Sequence, residues 1–156
     1  MINEKGFQDF WIYNPNKKGF FKKSKVDVLL VEDNKIIQLI HKEILVKLGC
    51  QVDIVSSGEE ALSVIDNDYE IIFLDIGLPG ISGIDVVTKF REHKNHEKTR
   101  MVVITANSEL VNNNILFSCG IEKVLAKPVD IKDLAAIVYQ LDTSCEINQS
   151  AFSNST

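Results

Sequence analysis

Five residues with usable chemistry stand at matching places along the chain. Glu32 and Asp33 follow the apolar run Val28-Leu29-Leu30-Val31. Asp75 closes Ile71-Ile72-Phe73-Leu74, and Thr105 follows Met101-Val102-Val103-Ile104. Lys127 follows Val124-Leu125-Ala126 and precedes Pro128. Unbroken apolar runs of this length read as strands buried on both faces. In a parallel α/β sheet, ligands bind outside the carboxyl ends of the strands, so the five side chains are expected in one crevice. Clustered carboxylates raise one another's pKa unless a positive charge lies among them. Oxygen ligands without His or Cys suit Mg²⁺; Asp33 and Asp75 are the expected ligands, with Glu32 reaching the ion directly or through water. One carboxylate can instead be a nucleophile that attacks phosphorus to give an aspartyl phosphate. Lys127 and the cation would then neutralise the transferring group, and Thr105 would donate to it. Singly, Glu32-Asp33 reads as a helix cap and Lys127 as a solvated loop residue. Five such residues at the ends of four strands are hard to dismiss in that way.

The elements that must carry these residues alternate from Val26 onward. The first strand is Val26 to Val31, and a helix follows from about Asn34 to Leu48. Asp33 or Asn34 is its N-cap and Gly49 its C-cap, with an apolar stripe of Ile37, Ile40, Ile44, Leu45 and Leu48. A second strand covers Gln51 to Val55. Ser57 and Glu60 have capping-box spacing ahead of a short helix. The third strand, Glu70 to Leu74, ends at Asp75, and Ser82 starts a helix reaching about Glu92. His93 to Thr99 reads as a polar loop and Arg100 to Ile104 as the fourth strand. A helix from about Ser108 to Cys119 stops at Gly120. The fifth strand is about Glu122 to Ala126, and Asp130 with Asp133 caps a last helix whose stripe is Leu134, Ile137, Val138 and Leu141. Alternation of this kind implies a parallel sheet covered on both faces. The flavodoxin-like (βα)5 doubly wound order 2-1-3-4-5 puts its switch point between the strands that end in Glu32-Asp33 and Asp75.

The length allows one domain, and 45% hydrophobic with 25% charged residues is ordinary for a soluble protein. A net charge of −5 argues against direct nucleic-acid binding. No apolar run is long enough for a membrane span, and the N-terminus lacks a signal-peptide core. Cys50, Cys119 and Cys145 are far apart, which reads as reduced thiols in a cytoplasmic protein; the first two sit among apolar residues and are expected in the core. His41, His93 and His96 form no ligand set and are expected at solvated surfaces. Phosphate-loop and dinucleotide fingerprints are absent. Residues 1–25 form a basic, aromatic N-terminal arm or linker: six Lys and six aromatics, with a charge of about +4, leave about −9 on the rest. Disordered segments are poor in aromatics, so this arm is a candidate for docking on a neighbour, a homodimer partner included. Residues 143–156 read as a flexible polar tail.

VLLVEDN (28–34), FLDIGLPGISG (73–83), VVITA (102–106) and LAKP (125–128) resemble the receiver domain of two-component response regulators over about residues 26–142. That resemblance implies that Asp75 accepts a phosphoryl group from a phosphohistidine on a histidine kinase or histidine phosphotransfer protein. It implies Mg²⁺ held by Asp33, Asp75 and the backbone carbonyl of Gly77, with Glu32 assisting. It also implies that Lys127 contacts the phosphoryl group, that Thr105 swings toward it, and that Lys127–Pro128 is cis. Such a domain catalyses its own phosphotransfer and is not otherwise an enzyme, unless it is a fragment of a hybrid histidine kinase. The loop phrase after Asp75 is more like hybrid-kinase receivers. Three residues before the lysine, receivers usually carry Tyr or Phe as a switch partner of the Thr; here the residue is Val124. A pseudo-receiver that only binds partners is the alternative. The Mg²⁺-dependent phosphatases that form aspartyl phosphates carry a D-x-D, whose second Asp is missing after Asp75.

Overall fold

The computed structural model describes residues 10–14, 18–23 and 25–139. The expected tail, 143–156, lies outside them. Two strands in the N-terminal arm, β1 (Phe10–Asn14) and β2 (Gly19–Lys23), pair antiparallel with Ile12 opposite Phe21. Aromatic and β-branched residues favour strands, and Lys18 turns the chain with φ 49° just before Gly19.

The chain then alternates: β3 (Val26–Val31), α1 (Lys35–Lys47), β4 (Cys50–Val55), α2 (Gly58–Ser63), β5 (Ile71–Asp75), α3 (Gly83–Glu92), β6 (Arg100–Thr105), α4 (Asn114–Ser118), β7 (Lys123–Ala126) and α5 (Ile131–Val138). The sheet order is β4-β3-β5-β6-β7, all parallel, which is the expected 2-1-3-4-5. Alternate residues of the buried strands feed two apolar layers. Leu29, Ile72, Leu74 and Val103 face Ala61, Val86, Phe90 and Leu116. Val28, Leu30, Phe73 and Ile104 face Leu45, Leu134 and Ile137. Register aligns the strand ends: Val31 lies beside Leu74, Asp75 beside Ile104, and Thr105 beside Ala126. The next residues, Glu32 and Lys127, therefore emerge at the same edge as Asp75.

Several local expectations need correction. The buried face of α1 is Gln38, His41 and Leu45, continued by Leu48, rather than a stripe through Ile40, which is 51% exposed. His41 is consequently buried, not solvated. His96 is fully buried as well: its Nε2 lies 2.7 Å from the Ile65 carbonyl and its Nδ1 2.9 Å from Thr99 Oγ1, with Phe90 packed edge-on. The 93–99 segment is therefore a tied-down connection. The single helix expected over 108–119 is split into a 3₁₀ turn (Ser108–Asn112) and the short α4. Asn113 is extended and its side chain accepts from the Ile115 amide at 2.8 Å, so a polar residue that competes for backbone groups starts a new helix mid-run. The capping box at α2 is half formed. Ser57 accepts from Glu60 N, but Glu60 Oε2 accepts from Ser56 N instead of the cap itself. The Asp130–Asp133 box at α5 is complete. Cys50 is buried and Cys119 half-buried.

Candidate functional site

Three strand ends extend one residue past their ladders and deliver the site. Glu32 N donates to Val55 O at 3.1 Å, Ile76 N to Ile104 O at 3.1 Å, and Lys127 N to Thr105 O at 2.8 Å. Asn34 N donates to Glu32 Oε1 at 3.0 Å, which folds that carboxylate back over the start of α1. Asn34 itself caps α1 by accepting from the amides of Ile36 and Ile37. At the end of β5, Gly77 N donates to Asp75 Oδ1 at 2.8 Å. Lys127 joins the halves: its Nζ donates to Asp75 Oδ2 at 2.7 Å and to Glu32 Oε2 at 3.2 Å. Lys127–Pro128 is cis.

Glu32, Asp33 and Asp75 each place a carboxylate oxygen within 4.8 Å of the others. Glu32 and Asp75 are buried and Asp33 is exposed. Burial raises the Glu32 pKa, and the charge of Asp75 adds to it; the Asn34 amide and Lys127 offset this in part. Burial alone would lower Lys127, but the hydrogen bond and charge of Asp75, then those of Glu32, outweigh it and hold its pKa above the ordinary lysine value. Two buried carboxylates and an exposed one around a single ammonium leave excess negative charge, and the donors are all hard oxygens. This set fits a divalent cation such as Mg²⁺.

Thr105 is buried at the same edge, where its Oγ1 accepts from Asn107 N at 3.0 Å; among the described residues no hydrogen bond joins it to the carboxylates. Val124 is buried in the apolar layer that holds Val103 and Leu116. The loop carrying Gly77 is tied to α2, because Glu59 Oε1 accepts from Ile81 N at 2.9 Å. Gly80 has φ +89°, a turn that calls for glycine, and a Cβ there would also lie 2.7 Å from Glu59 Oε1, the movable end of a side chain.

Two residues near the site escaped the sequence reading. Gln38 donates its Nε2 to the Glu32 carbonyl and, at 3.1 Å, to Ser56 Oγ. His41 lines a cavity of about 480 Å³ with Ile37, Ile40, Lys127, Pro128 and Val129. Among the described residues its Nδ1 has no hydrogen-bond partner, and burial, then the charge of Lys127, lowers its pKa. The signal was present: Gln38 and His41 share the three-to-four-residue spacing of Leu45 and Leu48.

A doubly wound sheet with an acidic cluster at its switch point, bridged by a lysine from the end of the edge strand β7, defines a receiver of the two-component type. The chain belongs to that family: the model of the response regulator receiver domain matches residues 28–139. Over 115 residues, 72% of its length, the chain is 30% identical to the aerobic respiration control sensor protein ArcB of Escherichia coli, and it spans about 15% of that relative's length. Among solved structures it resembles the receiver domain of a sensor histidine kinase from Pseudomonas aeruginosa, determined with a magnesium ion coordinated in the active site cleft. The identity is 28%, covering 75% of this chain and 97% of that one, with a TM-score of 0.66. It also resembles the receiver of the Saccharomyces cerevisiae response regulator Ssk1, crystallised with the histidine phosphotransfer protein Ypd1. There the identity is 26%, over 73% of this chain and 86% of that one, with a TM-score of 0.64. Among the described residues, no helix is long and apolar enough to cross a membrane.

Proposed function

We propose that Asp75 is the phosphoacceptor of this receiver and that Glu32, Asp33, Asp75 and the Gly77 carbonyl hold Mg²⁺, with Lys127 and Thr105 completing the site. The observation that carries this reading is the Lys127 ammonium between Asp75 and Glu32, at 2.7 and 3.2 Å. An Asp75 oxygen attacks the phosphorus of a phosphohistidine, the P–N bond breaks, and the imidazole leaves with the electron pair and takes up a proton. Lys127 stays within reach of the transferred oxygens, and the Thr105 hydroxyl donates to one of them. Bound Mg²⁺ supplies charge neutralisation for the incoming group.

The donor is a histidine kinase or a histidine phosphotransfer protein. Ile36 and Leu39 on α1 are each 69% exposed and, with Ile40, make an apolar face beside the Lys127 cavity. That face suits a helical partner that must bring its histidine to Asp75. Residues 26–142 form the receiver, which acts in the cytoplasm and catalyses nothing beyond its own phosphotransfer. The acidic balance of that part disfavours nucleic acid as a direct partner.

Incubation with acetyl phosphate and Mg²⁺ should add one phosphoryl group by intact mass, labile to hydroxylamine, and Asp75→Asn should abolish it. Wild-type protein that binds Mg²⁺ yet gains no phosphoryl group would instead support a partner-binding module.

A further inference from the structure

Asp33 is exposed and accepts no hydrogen bond from a described residue, yet it must hold a fixed place beside Glu32 and Asp75. What fixes it is the peptide on either side. On the N-terminal side, the Glu32 N–H is tied to Val55 O. The Glu32 carbonyl, which belongs to the peptide joining Glu32 to Asp33, accepts from Gln38 Nε2. The same carboxamide donates to Ser56 Oγ at 3.1 Å, and Lys35 Nζ donates to that hydroxyl at 2.9 Å. Ser56 is itself anchored, because its amide donates to Glu60 Oε2 at 2.8 Å. Gln38 is 6% exposed, a polar side chain spent inside the fold on the buried face of α1. An apolar residue there would pack as well but could not grip the Glu32–Asp33 peptide.

We infer that Gln38 is a positioning residue for the acidic pair: its carboxamide clamps the Glu32–Asp33 peptide to Ser56 and thereby sets the affinity of the site for a divalent cation. This rests on the functional reading above. Groups that orient metal ligands from behind commonly change metal affinity by about 10- to 100-fold when removed. Gln38 touches neither Asp75 nor Lys127 in any described hydrogen bond, so its loss should act on metal binding and leave the acceptor oxygen unaffected.

The test is Gln38→Met, which keeps the length and removes both donors, with Ser56→Ala as a second variant at a half-buried position. Mg²⁺ is titrated into each protein without phosphodonor, by calorimetry or by amide NMR of residues 32–34. Gln38→Met should weaken Mg²⁺ binding about tenfold and Ser56→Ala about threefold. In metal-free protein, Gln38→Met should also speed hydrogen exchange of the Asn34 amide. At saturating Mg²⁺, the rate of phosphorylation by acetyl phosphate should return to within about twofold of wild type. Unchanged Mg²⁺ affinity in folded Gln38→Met overturns the inference, and so does a rate loss that persists at saturating Mg²⁺. Should Gln38→Met not fold, Ser56→Ala decides by the same titration, and unchanged affinity there overturns the inference. A wild-type protein that neither binds Mg²⁺ nor takes a phosphoryl group overturns the functional reading, and the inference with it. A phosphorylatable wild type with an indifferent Gln38→Met overturns the inference alone.

Discussion

Replacing Lys127 by Met removes the ammonium that touches both buried carboxylates. With contacts of 2.7 and 3.2 Å, an effective dielectric of about 20 gives gross attractions of about 6 and about 5 kcal/mol. Most of this is set against the desolvation of the three groups, and Lys127, 22% exposed, is partly screened. On truncation, Glu32 and Asp75 are left facing each other without a cation, which should cost about 3 kcal/mol in metal-free buffer near neutral pH, the low end for a broken buried pair. The loss should depend on pH. The Glu32 pKa is raised in the folded state, so the folded protein binds a proton more readily than the unfolded chain there. Its contribution to stability therefore rises as pH falls through the raised value toward the ordinary 4.5, and is lost above it. Without Lys127 that value climbs further, and the deficit should shrink to about 1 kcal/mol as Glu32 protonates. Saturating Mg²⁺ should recover part of the deficit at neutral pH. Urea unfolding followed by circular dichroism, with and without Mg²⁺, measures all three effects. A loss below about 1 kcal/mol at neutral pH, or a loss equal at both pH values, would refute the reasoning.

Asp33→Asn should weaken Mg²⁺ binding at least about tenfold while raising metal-free stability slightly, because it removes a ligand and relieves repulsion; calorimetry and urea unfolding check the two signs. Removing residues 1–24 should leave the thermal unfolding of the receiver unchanged but alter its elution on size exclusion or its affinity for a partner, and identical behaviour would return the arm to a linker. Val124 offers roughly half or less of the apolar area of the expected ring. A beryllofluoride mimic of the phosphoryl group should therefore perturb amide exchange in the loops after β3, β5 and β6 more than in residues 121–139; a large change across β7 and α5 would show that the switch does not need the ring.

The sheet was legible because its strands carry the signal themselves. Runs such as Ile71-Ile72-Phe73-Leu74 are apolar on both faces, and only a covered parallel sheet accepts four of them. The cluster was legible for the same reason: each of its residues is the first or second polar group after its run, so strand register gathers them. The helices were read less well. In α1, four isoleucines and two leucines offer more apolar residues than one face can bury, and the face that is buried carries the polar Gln38 and His41, which apolar periodicity does not pick out. The break at Asn113 depended on a cap competing with helix continuation. The arm strands were missed because two five-residue aromatic segments say little about pairing until a turn is seen between them.

On the proposed function, the charges at the site call for both a lysine and a hydroxyl. Glu32, Asp33 and Asp75 with Lys127 sum to about −2 when all are ionised, which a divalent cation would cancel. Phosphorylation of the proposed acceptor would convert the single charge of Asp75 into a phosphoryl group carrying about −2, so the loaded site would return to about −1. Lys127 is already counted, and a second ammonium would cancel the excess only by competing with the metal for Glu32. The remaining charge has to be met by hydrogen-bond donors, which add no net charge. Thr105 fits this need. Its hydroxyl accepts from Asn107 N at 3.0 Å, and its own proton is committed to no described acceptor. Its main-chain carbonyl accepts from Lys127 N at 2.8 Å, which ties its strand end to that of the lysine. On the proposed function, the Thr105 hydroxyl would turn to donate to the added charge. Thr105→Val should accept a phosphoryl group and lose it at a changed rate while binding Mg²⁺ as wild type does. Altered Mg²⁺ affinity in that variant would show that Thr105 belongs to the metal site instead.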